Sequence, residues 1–235
     1  IRATRMLGSV KPPSERLTVV LDPWVCAQFL GIVGGTLSGE MVLKGRSLFA
    51  DRLGEDVAAP WVTLIDDPTD PAAFTATATD GEGLATRRNV LVDSGRLDQF
   101  VHNSWTARRC GTSSTGSAVR GYSTTPGVGV QAVSLLPGRD DPADLIAAID
   151  DGVLLQSVTG LHSGVNPVSG DFSTGAEGLR IRNGELAEPL REFTVGSTIQ
   201  RMLLDVTGIG NDLEWQPMSA AGVTLVIGEL TVSGA

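Results

Sequence analysis

The chain carries two histidines, His102 and His162, and two cysteines, Cys26 and Cys110. A metal site built from neighbouring ligands needs imidazoles at short helical spacing, as in H-E-x-x-H. Here the imidazoles stand sixty residues apart, so no shared metal is expected. Cys26 lies in an apolar run and reads as a small buried hydrophobe. Cys110 follows Arg108 and Arg109, cations that favour a thiolate, but a nucleophile also needs a base within hydrogen-bond reach, and His102 is the base nearest in sequence. Asp80 and Glu82 flank Gly81 and precede Gly83; they could hold a cation or work as an acid/base pair, yet short carboxylates among glycines more often form turns. The cluster Ser113 to Ser117 lacks the G-x-S-x-G nucleophile pattern and reads as a polar turn. Neither G-x-G-x-x-G nor a P-loop occurs. Ser169 to Gly178 is the segment most punctuated by glycine, which fits either a bulged strand whose edge accepts an extended peptide or a plain bend between strands.

Composition narrows what such residues can serve. With 235 residues, of which 41% are hydrophobic, the chain is long enough for a buried core, and disorder is excluded as its main state. Eighteen basic against 27 acidic side chains leave a net charge of −9, which opposes approach to a polyanion. No direct binding of nucleic acid is expected. Two cysteines are too few for a disulfide framework and point to a reducing compartment, so the chain is expected in the cytoplasm. The longest uncharged apolar stretch, Pro23 to Gly39, is seventeen residues with four glycines, too short and too polar for a membrane span. The sequence begins at Ile1 without a signal-peptide pattern and reads as a piece of a longer protein, with residues 1–16 a linker from a preceding domain and 17–235 the domain itself.

Positioning falls to an ordered set of elements. Lys11 to Arg16 contains paired prolines, and Leu17 to Leu21 reads as a strand. Asp22 followed by Pro23 is a helix start, and the apolar spacing of Trp24, Val25, Phe29, Ile32 and Val33 predicts a buried helix fraying at Gly34 and Gly35. Trp61 to Ile65 reads as a strand closed by the turn Asp66-Asp67-Pro68. Further strands are expected over 87–92 and 96–101, paired through Asp93-Ser94-Gly95, and over 128–136 and 152–158. Pro142 to Ile149 predicts a short helix capped by Asp141, with Leu145, Ile146 and Ile149 on one face. Asn183-Gly184 inside Leu179 to Leu186 is the strongest local signal, a type I′ hairpin. A helix over Ser197 to Val206 and strands over Val223 to Val232 complete the chain. Strands outnumber helices and do not alternate with them, which implies an α+β fold dominated by antiparallel sheet that can curl into a barrel.

Taken in order, Asp66-Asp67-Pro68, Asp80-Gly81-Glu82-Gly83, Ala107 to Gly111 followed by Ser114-Thr115-Gly116, Ser169 to Ser173 with Gly175 and Gly178, Ile181 to Glu185, Ile209 to Asp212 and Glu229 to Gly234 resemble the C-terminal half of the TldD/PmbA family. The resemblance covers the chain from about Leu17 to Gly234. It implies a longer protein with an N-terminal α/β domain, in a family of zinc metallopeptidases also described as modulators of DNA gyrase, whose members act in peptide maturation and in degrading small unfolded proteins. Many pair a metal-bearing TldD-type subunit with a PmbA-type (TldE) subunit. In the TldD type the helix corresponding to the one starting at Asp22 carries H-E-x-x-x-H, and a cysteine near the C-terminus is the third ligand. Here Cys26 is the one possible ligand between Val25 and Gly39, and Gly208 to Gln216 has no cysteine. The chain therefore resembles the PmbA type, and neither a metal, another cofactor nor a catalytic residue is assigned to it. Its expected work is to shape a peptide groove and an interface with a TldD-type subunit or a second copy of itself. Ser114, Thr115 and Gly116 in one loop, and Gly170, Asp171, Phe172, Ser173 and Gly175 in another segment, are the candidate substrate-binding residues. The alternatives are a non-catalytic peptide- or partner-binding module, and an enzyme using Cys110 or the Asp80/Glu82 pair.

Overall fold

The computed structural model describes residues 5–234. Its strands are β1 (Glu15–Leu21), β2 (Leu64–Asp66), β3 (Asn89–Asp93), β4 (Arg96–Leu97), β5 (Ala118–Val119), β6 (Gly127–Val128), β7 (Val133–Leu135), β8 (Asp151–Thr159), β9 (Asp171–Arg182), β10 (Glu185–Thr198), β11 (Val206–Ile209), β12 (Glu214–Trp215), β13 (Ala221–Gly222) and β14 (Leu225–Ser233). Helices occupy Pro23–Thr36, Gly39–Leu43, Ser104–Cys110, Pro142–Ala147, Leu161–Gly164 and Ile199–Leu204. The fold is α+β and mainly antiparallel, as the order of strand and helix signals implies. No helix among the described residues is long and apolar enough to cross a membrane. The chain divides into two compact units, one formed by the segment ending at Cys26, by Pro137–Glu214 and by the segment from Gly222 on, the other by Ala27–Leu136 and Trp215–Ala221.

The first unit is a closed five-stranded barrel in the order β1-β8-β9-β10-β14, sealed by the pairing of β14 with β1, with β11 added beside β14. Only β1 and β8 run parallel; the other pairs are antiparallel. Closure leaves no free edge among those five strands, which removes the hazard an open sheet presents. The β9–β10 hairpin turns at Asn183 (φ 48°) and Gly184 (φ 78°), the two positive values that a type I′ turn requires. Gly184 has a second reason to be glycine: a Cβ there would lie 2.5 Å from the carbonyl oxygen of Ala147. Val20, Leu154, Ile181 and Val226 form an apolar patch with Ile149, and the helix Pro142–Ala147 lays Leu145 and Ile146 on it. That helix starts where Asp141 Oδ1 accepts from Ala143 N at 2.8 Å. Arg180, 3% exposed, staples three strands: its guanidinium binds Asp151 through two bonds of 2.8 and 2.5 Å and also reaches Glu15.

The second unit is built on a four-stranded antiparallel sheet, β4-β3-β2-β7. Its β3–β4 hairpin turns at Ser94 (φ 50°) and Gly95 (φ 85°). Trp61 to Thr63, expected in a strand, instead form a turn in which Val62 N donates to Ala59 O at 2.9 Å, so pairing begins only at Leu64. The helix begun at Asp22, whose Oδ1 accepts from Val25 N at 2.9 Å, does not fray at Gly34 and Gly35 but continues to Thr36. Packing explains the difference: a Cβ on Gly34 would come within 2.7 Å of Val130, and Ser47 Oγ donates to the terminal carbonyl of Thr36 at 2.6 Å. At the other predicted helix the structure is shorter than Ser197 to Val206. Ser197 and Thr198 belong to β10, and the helix Ile199–Leu204 starts where Thr198 Oγ1 accepts from Arg201 N at 3.3 Å.

Candidate functional site

The helix Pro23–Thr36 is where the family resemblance would place metal ligands, and its donor set does not fit a zinc centre. It holds no histidine and no carboxylate, and its Cys26 is fully buried. Burial pushes the Cys26 thiol up to about 12, so it is held as the neutral thiol rather than the thiolate that coordinates zinc. Asp22, beside it, is the helix cap. Among the described residues no three His, Cys, Asp or Glu side chains converge as metal ligands.

The second unit carries a half-open cavity of about 550 Å³ at the C-terminal end of the helix Ser104–Cys110. Its walls include Arg87, Arg88, Asp98, His102, Cys110 and the loop Thr112 to Thr115. The local sequence builds it in steps. Asn103 caps the helix, accepting from Thr106 N at 2.8 Å, while Thr106 Oγ1 accepts from Asn103 N at 3.2 Å, a reciprocal capping box. Gly111 (φ 66°) ends the helix in the left-handed conformation and throws the 112–115 loop back. The loop is then anchored to His102: Thr115 Oγ1 accepts from His102 N at 2.7 Å, and Ser114 Oγ donates to His102 O at 3.2 Å. Arg87 clamps the loop from the sheet, with Nη2 donating to Ser114 O at 2.6 Å and Nε to Thr115 O at 3.3 Å.

His102 is 6% exposed, and its ring rests on Gly39, where any Cβ would collide with it. Nδ1 lies 3.2 Å from Thr106 Oγ1. Burial pulls the imidazole below its ordinary value and favours the neutral ring. Cys110 is exposed and free, and although it lines the same cavity it makes no hydrogen bond with His102. A nucleophile–base pair of the kind considered for Cys110 is thus not assembled in this conformation.

Asp80 and Glu82 are committed to the backbone. Asp80 Oδ1 accepts from Glu82 N and Leu84 N, both at 2.9 Å, and Oδ2 from Ala118 N at 3.1 Å. Glu82 Oε2 accepts from Ser104 N at 2.9 Å, at the positive end of that short helix. The turn-forming reading of this pair is the one the geometry supports.

Of the candidate substrate-binding residues, Ser114 and Thr115 line the cavity, and Gly116 (φ 71°) follows behind them. Gly170, Asp171, Phe172, Ser173 and Gly175 lie in the other unit, at the start of β9. An open edge is not what β9 offers there. Asp171 through Gly175 pair with Thr198 through Thr194 on one side. On the other side Gly175 pairs with Thr159, and Phe172 is bridged by Val165. Peptide capture by main-chain strand addition is therefore blocked at Phe172 and Gly175. Asp171 and Ser173 remain exposed and can act only through side chains. Gly170 (φ 86°) packs against Gln200, leaving no room for a Cβ.

Sequence reasoning missed Asp66. Read as part of a turn, it is instead completely buried at the end of β2, and Oδ1 accepts from Gln131 N at 2.8 Å and Ala132 N at 2.7 Å. Oδ2 has no partner. Burial pushes the carboxyl up to about 6. The turn itself is made by Asp67, which accepts from Thr69 N at 3.0 Å. Two adjacent aspartates carry no sequence signal for which one faces inward.

Comparison with known proteins places these features in context. The model of the PmbA/TldA metallopeptidase C-terminal domain matches residues 14–234. A protein of Methanothermobacter thermautotrophicus named a metalloprotease is 32% identical over 213 residues, covering 90% of this chain and 46% of that protein. Among solved structures, one from Thermotoga maritima described as a candidate modulator of a DNA gyrase superposes with TM-score 0.92 at 29% identity, over 98% of this chain and 53% of that one. TldE from Thermococcus kodakarensis superposes with TM-score 0.90 at 26% identity, again over 98% of this chain and 53% of that one. The chain spans about half the length of the relatives it matches.

Proposed function

Because this chain belongs to the PmbA/TldD metallopeptidase family, as a C-terminal domain of the PmbA/TldE type, we propose that it serves as a subunit without its own metal centre. In this reading it works beside a TldD-type metal-bearing partner, as a dimer in the cytoplasm, in proteolysis or peptide maturation. The carrying observation is the donor set of the helix Pro23–Thr36: no imidazole, no carboxylate, and one thiol buried in its protonated form. Zinc that activates water needs three protein ligands and an open fourth position, with any cysteine ligand deprotonated. What this chain would contribute is peptide-binding surface: the 112–116 loop in one unit and, separately, the exposed side chains at the start of β9 in the other. A homodimeric peptide-binding module would use the same surfaces without a metal-bearing partner.

The test is metal analysis and a peptidase assay on the full-length protein, alone and mixed with a TldD-type subunit. The expected outcome is no stoichiometric zinc and no hydrolysis alone, with hydrolysis in the mixture exceeding that of the TldD-type subunit by itself. One zinc per chain together with activity in the absence of a partner overturns the reading. A mixture no more active than the TldD-type subunit alone favours the binding module.

A further inference from the structure

The cavity beside the helix Ser104–Cys110 contains groups that the fold leaves unused. Arg87 is spent on the carbonyls of Ser114 and Thr115, but Arg88 next to it is exposed, and its guanidinium has no hydrogen bond or ion pair among the described residues. On the same walls His102 is more than nine-tenths buried, held at Nδ1 by Thr106, and Nε2 has no protein partner among the described residues. Asp98 also lines the cavity, exposed, with a carboxylate that is likewise unpaired among the described residues. An unpaired guanidinium, a polar ring fixed on one side only and a single free carboxylate together describe the complement of a small ligand with both an oxyanion and a hydrogen-bond donor.

We propose that this cavity binds the C-terminal carboxylate of a peptide, with Arg88 and His102 Nε2 on the carboxylate oxygens and Asp98 accepting from the amide N–H of the terminal residue. The inference rests on the peptide-binding reading above and names the part of the peptide this chain would recognise. A guanidinium matches a carboxylate through two parallel bonds, and such charge-assisted bonds are about twice as strong as neutral ones. The bound oxyanion selects the His102 tautomer with hydrogen on Nε2, the Thr106 hydroxyl then donating to Nδ1. Asp98 argues for a peptide end over inorganic phosphate, since a dianion is repelled by the carboxylate about twice as strongly as a single carboxylate whose neighbouring amide N–H can donate to it. About 550 Å³ suits one or two terminal residues rather than a folded partner.

Cys110 lines the cavity and is free, whereas Cys26 is buried, so alkylation of Cys110 reports occupancy. The rate of reaction with iodoacetamide is measured on the full chain with N-acetyl-Ala-Ala, with its C-terminal amide and with inorganic phosphate. The free acid is expected to protect Cys110 at about tenfold lower concentration than the amide. Arg88→Gln removes that difference and Arg88→Lys restores part of it; Arg88 is exposed, so both variants fold. Equal protection by acid and amide, unchanged discrimination in Arg88→Gln, or phosphate protecting better than the acid overturns the site. Partner-dependent hydrolysis with no protection by either peptide overturns the carboxylate site while leaving the proposed function standing.

Discussion

Replacing Asp66 by asparagine tests whether a carboxyl inside the second unit works against the fold at neutral pH. The side chain is fully buried; Oδ1 accepts two main-chain N–H groups, and Oδ2 faces no partner. Its value in the folded chain, about 6, stands above the ordinary aspartate value of 3.8 because burial disfavours the charge. A carboxyl that holds its proton more tightly when folded stabilises the protein at low pH. That contribution is full below the unfolded value and is lost as pH rises through the folded one, between about 4 and about 6. The difference between the two values corresponds to roughly 3 kcal/mol, an upper figure because local opening admits water to an ionised group. Asparagine keeps the Oδ1 acceptor and carries no charge, so Asp66→Asn should lack this pH dependence. Urea unfolding of both proteins from pH 4.5 to 7.5 gives the difference directly, and other carboxylates cancel in the subtraction. Wild type is expected to lose about 2 kcal/mol relative to the variant across that range, with the steepest change near pH 5, midway between the unfolded and folded values. A flat difference refutes the buried, unpaired state of Oδ2. Asp66→Ala serves as the control for the accepted bonds: it should be less stable than Asp66→Asn by about 2–4 kcal/mol at every pH, because it strands the N–H groups of Gln131 and Ala132.

Two further outcomes concern the barrel. Arg180→Ala leaves Asp151 and Glu15 without the buried guanidinium that joins β1, β8 and β9, and should cost about 3 kcal/mol in denaturant unfolding; Arg180→Met, which keeps the volume, should recover part of it. If alanine there costs less than about 0.5 kcal/mol, the staple contributes nothing to the barrel. Gly184→Ala forces a Cβ toward Ala147 O at a positive φ and should lower stability by about 2 kcal/mol, read as a shift in urea midpoint at constant m-value. An unchanged midpoint would place the β9–β10 turn elsewhere.

The local signals that proved legible were those in which a residue's own backbone preference decides the outcome. Asn183-Gly184 accept positive φ, so the hairpin followed from the dipeptide alone. Asp141 before Pro142 caps its helix through a bond two residues away. Where sequence reading went astray, a distant neighbour had intervened. Gly34 stays helical because Val130 packs where a side chain would stand, and Trp61 to Thr63 leave the sheet for a turn closed at Ala59. For the start of β9 the glycines allowed either an edge strand or a bend, and they could not choose because its partners on β10 and β8 stand up to 27 positions away.

The family, the α+β class with its antiparallel bias, and the lack of paired imidazoles on the helix after β1 are all legible in residue types and their order. Tertiary structure alone decided that β14 closes on β1, that Asp66 rather than Asp67 is buried, and that Arg88, Asp98, His102 and Cys110 share one cavity. The reason is range. Backbone preferences and hydrophobic periods act over a few residues, whereas burial, desolvation and the convergence of side chains depend on contacts between segments far apart along the chain, which no local pattern encodes.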